Sequence, residues 1–209
     1  MEIAVIGTGD VGRALGSRWS EGGHRVAFGS RNPEAGRVQE VVRVAGENAH
    51  ACGIAEAAQQ AEVVVLAIPW KAAERTLKEI GPLQGKILVD PMNPSQEDAF
   101  ALLQKGRAAG EWVAQWAPGA RVVKAFNTTG WENMADPLYD GEPLTMFLCG
   151  DDPEAKRVVG GLARELGFEA LDVGDLHASW ALEGLARVWI NLAHRAGLGR
   201  DIGFHLLRR

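Results

Sequence analysis

The opening of the chain limits its fold more than any other stretch. Ile3-Ala4-Val5-Ile6 is an apolar run rich in β-branched residues. Gly7-Thr8-Gly9-Asp10-Val11-Gly12 follows at once, and Ala14, Leu15, Arg18 and Trp19 come after it at helical spacing. A Gly-x-Gly-x-x-Gly turn between a strand and a helix is the fingerprint of a dinucleotide-binding βαβ unit. Its first glycine allows the tight turn, its second lets the backbone approach a pyrophosphate, and its third lets helix and strand pack closely. The helix start then points free N–H groups and a positive dipole end at the phosphates. Gly7, Thr8, Gly9, Asp10, Val11 and Gly12 are therefore expected at a cofactor, Thr8 and Val11 mainly through their backbone.

The second strand sharpens that expectation. His24-Arg25-Val26-Ala27-Phe28 leads into Gly29-Ser30-Arg31-Asn32-Pro33. An NAD-binding chain places a carboxylate here to hold the ribose 2′-hydroxyl. This chain places Ser30 and Arg31 instead, followed by Asn32. A guanidinium pairs with a 2′-phosphate in a bidentate fork and stacks on adenine. The pattern predicts NADP(H) over NAD(H). Arg37 is either a second cation for that phosphate or a solvated helix charge.

Alternating apolar runs carry the pattern onward. Helices are expected over 33–46, 54–61 and 71–80, and strands over 48–52, 62–68, 86–90 and 121–126. The run Val63-Val64-Val65-Leu66 suits a parallel strand covered on both faces. A strand over 144–149, a helix over 153–166, a strand over 168–173 and a long helix over 176–196 complete the reading. That last helix carries the stripe Leu182, Leu185, Trp189, Leu192 and Ala196, with Trp180 and Ile190 off it. The expected class is α/β: a Rossmann-like, doubly wound, mostly parallel sheet with a small helical C-terminal element. Residues 1–143 form the NADP-binding domain. Residues 144–209 form a small α/β element that completes an acceptor cleft and offers a contact for a homodimer. Ligands of such sheets lie beyond the carboxyl ends of the strands. Ala67, Ile68, Pro69, Trp70, Asn93 and Asn127 therefore join the candidate cofactor-binding residues.

A net charge of −5 argues against nucleic acid as the partner. Cys52 and Cys149 lack metal or redox spacing and read as reduced packing thiols. With a strand at its first residues and no run long enough to span a bilayer, the chain is expected to lack a signal peptide and to be cytoplasmic. No metal-ligand set, Ser-His-Asp arrangement or paired carboxylates emerge at the strand ends, so hydrolysis and metal chemistry are disfavoured.

Several stretches together resemble the NADPH-dependent coenzyme F420 reductases. They are the glycine turn, Gly29-Ser30-Arg31, Ala67-Ile68-Pro69-Trp70, Cys149-Gly150-Asp151-Asp152, Asp172-Val173-Gly174-Asp175-Leu176 and Gly197-Leu198-Gly199-Arg200-Asp201-Ile202-Gly203-Phe204. The resemblance spans nearly the whole chain and implies hydride transfer between NADP(H) and a deazaflavin stacked on the nicotinamide. Lys124-Ala125-Phe126-Asn127 is more similar to bacterial relatives and to the reductase domains of the Steap metalloreductases, which implies a flavin as the other acceptor. Where archaeal members carry Gly-Pro-Leu-Ser before the last helix, this chain has Gly174-Asp175-Leu176-His177, and Trp180 replaces an arginine.

Several residues admit two readings. His177 is the candidate to touch the acceptor or supply a proton, or else an exposed loop histidine. Trp70 borders the nicotinamide or packs in the core. Trp180 faces a tricyclic ring or packs in the core or a dimer contact. Lys124 lies buried with its amine at the cofactor or snorkels to solvent. Asn127, and next Asn93, are expected to bond the nicotinamide carboxamide or ribose. Two other functions fit the same opening: reduction of a small imine or keto acid, and cofactor sensing without turnover. The former needs a separate substrate domain, for which the roughly 60 residues after the main sheet leave little room.

Overall fold

The computed structural model describes residues 1–104 and 106–209. In chain order the elements begin β1 (Glu2–Ile6), α1 (Asp10–Glu21), β2 (Arg25–Gly29), α2 (Gly36–Ala45), β3 (Ala49–Cys52), α3 (Ile54–Gln60) and β4 (Val63–Leu66). They continue with α4 (Ala73–Ile80), β5 (Ile87–Asp90), α5 (Gln96–Gln104), α6 (Ala109–Trp116), β6 (Arg121–Lys124) and α7 (Trp131–Ala135). A short hairpin of β7 (Leu138–Tyr139) and β8 (Glu142–Pro143) precedes β9 (Thr145–Gly150), α8 (Pro153–Glu165), β10 (Glu169–Asp172) and α9 (Ser179–Ile190).

Eight strands form one sheet in the order β10-β9-β6-β5-β4-β1-β2-β3. From β3 to β6 every pairing is parallel, and strand order reverses between β1 and β4, the doubly wound arrangement. Alternate residues of the central strands feed two cores. Ile3, Val5, Val63 and Val65 pack with α1, α2, α7 and α8 on one face. Ala4, Ile6, Val64 and Leu66 pack with α3, α4 and α6 on the other. This double burial is why β4 reads as an unbroken apolar run.

The one reversal lies at β9, which pairs antiparallel with β6 while β10 runs parallel to β9. The carboxyl ends of β9 and β10 therefore lie toward the edge where the other strands begin, and Asp152 meets Arg121 there.

Several expected spans end early for local reasons. The strand read over 121–126 stops at Lys124, because Phe126 adopts a left-handed conformation (φ 68°) and its N–H donates to Met146 Sδ. The run over 62–68 stops at Leu66, where the Ile68 N–H turns back onto the Leu66 carbonyl. The long helix expected over 176–196 is three pieces: a 3₁₀ turn at Leu176–Ala178, α9, and a π turn at Asn191–Arg195. Its buried stripe is Ser179, Leu182, Ala186, Trp189 and Ala193, not the expected set. Leu185 and Leu192 are only half-buried and Ala196 is exposed. Small residues let the helix lie close to its neighbours, so the bulkier leucines turn aside. Trp180, read as a packing residue or a ring platform, is 54% exposed on the outer face.

Beyond α9 the tail folds back over the carboxyl edge of the sheet. The Ile202 carbonyl accepts from Asn133 Nδ2 and Trp189 Nε1, the Phe204 carbonyl accepts from the Thr145 N–H, and Arg200 pairs with Glu132.

Candidate functional site: the carboxyl edge of the sheet

The site begins at the β1–α1 turn. Gly7 has φ of 108°, and a Cβ there would run into the Ala67 carbonyl oxygen. A Cβ on Gly12 would collide with the Gly7 carbonyl. These two glycines let α1 start directly against β1 and β4. A Cβ on Gly9, by contrast, would meet open space in front of the helix N-terminus. That is the cradle a pyrophosphate needs, formed by the free N–H groups of the first turn.

Beside the turn, between the ends of β1, β2 and β4, lies a cavity of about 620 Å³. Gly7, Thr8, Ser30, Arg31, Asn32, Arg37, Ile68 and Pro69, all expected from sequence, line it. Ser30 Oγ accepts the Asn32 N–H at 3.2 Å and shapes the turn that carries Arg31. Six further residues line it that were not expected: Ile6 and Gly29 at the ends of β1 and β2, and Ile54, Ala72, Arg75 and Thr76. Ala72, Arg75 and Thr76 lie at helical spacing just past Pro69, so the helix after β4 shows one face to the cavity. That periodicity was the available signal for Arg75.

The electrostatics of the cavity are one-sided. Arg31, Arg37 and Arg75 all line it and no acidic residue does, among the described residues. None of the three makes an ion pair with a described residue. Most other arginines of this acidic chain do find a carboxylate, so a group of free guanidiniums facing one slot suits a dianionic ligand.

Farther along the edge, past β5 and β6, the site is built differently. Asn93 Nδ2 donates to the Asn127 carbonyl at 2.7 Å, and Asn127 Nδ2 donates to Asn93 Oδ1 at 3.0 Å and to the Leu182 carbonyl at 3.2 Å. Asn127 is 2% exposed, yet its Oδ1 has no hydrogen-bond partner among the described residues. Buried amide oxygens are rarely left so. Beneath this pair Lys124 is wholly buried, with Nζ 3.0 Å from Asp90 Oδ2, 2.6 Å from the Met92 carbonyl and 3.4 Å from Glu183 Oε1. Burial works against its charge, but Asp90 and Glu183 outweigh that and hold the ammonium above its ordinary range. Lys124 therefore neither snorkels nor reaches outward to a cofactor. Cys149, paired with Lys124 across the strands, has its thiol pushed up by burial to about 12 and stays protonated.

Two expected residues fall elsewhere. Trp70 does not line the cavity; its ring leans on Trp116 with centroids 5.2 Å apart, over the second core. His177 follows β10 on the reversed limb of the sheet, where the neighbouring Leu176 N–H is held by Asp151 at the end of β9. Its imidazole is exposed and lies 3.4 Å from Glu111. It lines a separate surface cleft with Arg107, Glu111, Asp151 and Asp175, not the cavity beside the glycine turn.

Comparison with known proteins bears on this arrangement. Residues 2–94 match the model of a family described as NADP oxidoreductase, coenzyme F420-dependent. The F420-dependent NADP reductase of Methanocaldococcus jannaschii is 30% identical over 207 residues, with 92% of each chain covered. The chain belongs to the F420-dependent NADP reductase family. A candidate F420-dependent NADP reductase from Arthrobacter sp. FB24 superposes with a TM-score of 0.86 at 30% identity, over the whole of both chains. Metalloreductase STEAP3 of Rattus norvegicus is 33% identical over 88% of this chain, but the chain spans only 36% of that protein. The members' shared fold explains why the carriers of the resemblance sit where they do: the glycine turn and Ser30-Arg31 border the cavity, and the Gly197–Phe204 tail covers the carboxyl edge.

Proposed function

We propose that this chain is an NADP(H)-dependent oxidoreductase that passes a hydride between NADPH and coenzyme F420. The observation that carries the reading is the cavity lined by Arg31, Arg37 and Arg75 with no acid among its described walls. Such a slot suits a 2′-phosphate and lacks the carboxylate that holds a bare ribose diol. The residues fit the dinucleotide further on. Gly9 leaves room for the pyrophosphate at the start of α1, and the buried Asn127 Oδ1, unpartnered among the described residues, is the acceptor for a carboxamide N–H. NADPH, when bound, supplies the hydride. The chain's part is orientation: transfer between stacked rings needs proximity and exclusion of water more than an acid or base.

Residues 1–143 then hold the dinucleotide, and 144–209 complete the acceptor cleft through α9 and the returning tail. A flavin is the second acceptor reading, supported by the 33% identity to a metalloreductase. Trp180 and Val188, 54% and 48% exposed on the outer face of α9, supply the apolar contact of a homodimer. The two buried free cysteines suit the reducing cytoplasm, although no described helix could cross a membrane in any case.

The test is NADPH absorbance followed with F420, FMN, FAD and riboflavin in turn, each beside NADH. Rapid F420 reduction by NADPH and slow reduction by NADH are expected. Turnover of flavins alone would favour the second reading. Tight NADPH binding without turnover of any of them would overturn both.

A further inference from the structure

The side chain of Lys124 gathers segments that are distant in sequence. Its three N–H donors meet three acceptors: Asp90 at the end of β5, the Met92 carbonyl in the loop after it, and Glu183 in α9. Asp90 uses its other oxygen to accept the Met92 N–H at 2.9 Å, so the loop is held from both sides. Glu183 accepts the N–H groups of Ala109 and Gly110 at 3.3 and 3.2 Å, which fastens the start of α6 to the same point. Asn127 is tied to the two segments gathered there. It bonds Asn93 of the loop and the carbonyl of Leu182, the residue before Glu183. Arg187, one turn further along α9, closes the frame by donating to the Pro94 carbonyl at 3.0 Å.

A buried ion cluster is weak evidence for stability, because desolvation offsets most of the attraction. Its value lies in geometry. We infer that the Asp90–Lys124–Glu183 cluster is a positioning device: it sets the loop after β5 against α9, and thereby fixes Asn127, whose buried Oδ1 has no partner among the described residues, for the nicotinamide end of NADPH. Lys124 and Glu183 act through Asn127 and do not touch the cofactor. The inference rests on reading Asn127 as the carboxamide acceptor.

The experiment separates the two ends of the cofactor. The dissociation constant of NADPH is measured from its fluorescence, and that of 2′,5′-ADP, which lacks the nicotinamide, by calorimetry. The variants are E183L, E183Q, N127A and E183Q/N127A. E183L is expected to weaken NADPH about three- to tenfold, the worth of one hydrogen bond. It should leave 2′,5′-ADP within about twofold, as for distant independent sites. E183Q keeps one acceptor toward Lys124 and should lie nearer wild type, with a smaller but measurable NADPH loss of about two- to threefold. If E183L does not fold, the double variant decides: it should lose no more NADPH affinity than N127A alone. Equal weakening of both ligands in E183L, or additive losses in the double variant, would overturn the inference. So would unchanged NADPH affinity in E183L beside an impaired N127A, with the placement of the nicotinamide left standing. An unimpaired N127A would overturn the inference and that placement together.

Discussion

Arg31, Arg37 and Arg75 stand at one end of the carboxyl edge without an acidic partner among the described residues, whereas Lys124, at the other end, is sealed from solvent between Asp90 and Glu183. The first region leaves its charges unspent for a ligand. It is open, it lies on turns and helix starts, and it lends itself to selecting a charged group. The second satisfies its charges internally and leaves a buried amide oxygen, Asn127 Oδ1, without a partner among the described residues. The difference teaches that a single site can divide its labour. Free charge provides affinity and choice of cofactor, while paired and buried charge provides the fixed geometry that hydride transfer requires.

The comparison can be broken most severely at Lys124. K124M leaves Asp90 and Glu183 buried without their cation and should cost about 3–5 kcal/mol in urea denaturation. A loss below about 1 kcal/mol would mean that the cluster is not the sealed network described. At the open end the effect should be on the cofactor instead. R31D is expected to raise the KM for NADPH about 10- to 100-fold, the worth of a charge-assisted hydrogen bond. Folding stability and the KM for NADH should change little. Equal KM changes for both cofactors would remove the 2′-phosphate from this slot. R75Q should act in the same direction but more weakly, about fivefold, as for a rim charge. Raising ionic strength should erode the difference between R75Q and wild type.

A smaller effect is expected at the tail. Burial is the largest influence on the Glu132 carboxyl and raises it, but the hydrogen bond from Arg200, a backbone hydrogen bond and the nearby Arg200 and His194 charges together hold it below the ordinary value of 4.5. A folded value below the unfolded one stabilises the protein above pH 4.5, and that contribution fades as pH falls through the folded value. E132Q should therefore flatten the stability curve on its acid side; identical acid limbs in thermal melts would exclude the pair as a contributor. Smallest of all should be H177A. With its exposed imidazole in a cleft apart from the cofactor cavity, hydride transfer from NADPH should stay within about twofold of wild type. A tenfold loss in kcat would bring that segment back to the reaction site.

Legibility of the site followed the range of the interactions that build it. Gly7, Gly9 and Gly12 act within one turn, and Ser30-Arg31 replaces a carboxylate at a set distance from them, so both could be read from spacing. Arg75 lies on a helix face pointing at a strand end, a pattern present in the sequence but ambiguous without the neighbouring walls. Asp90, Lys124 and Glu183 are separated by tens of residues and share no periodicity; Lys124 could be read as buried, but nothing in the sequence joined it to the two carboxylates. The Leu182–Ala196 stripe misled because apolar bulk ranked Leu185 and Leu192 above Ala186 and Ala193, while close helix packing favours the small residues.

The sequence by itself determined the strand–glycine turn–helix opening, the alternating α/β layering and the preference for a 2′-phosphate. These depend on local backbone conformation and on the two periodicities of helix and strand. Only the tertiary structure decided that β9 runs backward, that His177 lies beside Glu111 in a cleft of its own, and that Lys124 closes on two carboxylates. Strand direction in a sheet and the meeting of distant charges are set by how buried surfaces and desolvated groups find partners, and no short stretch of chain contains that information.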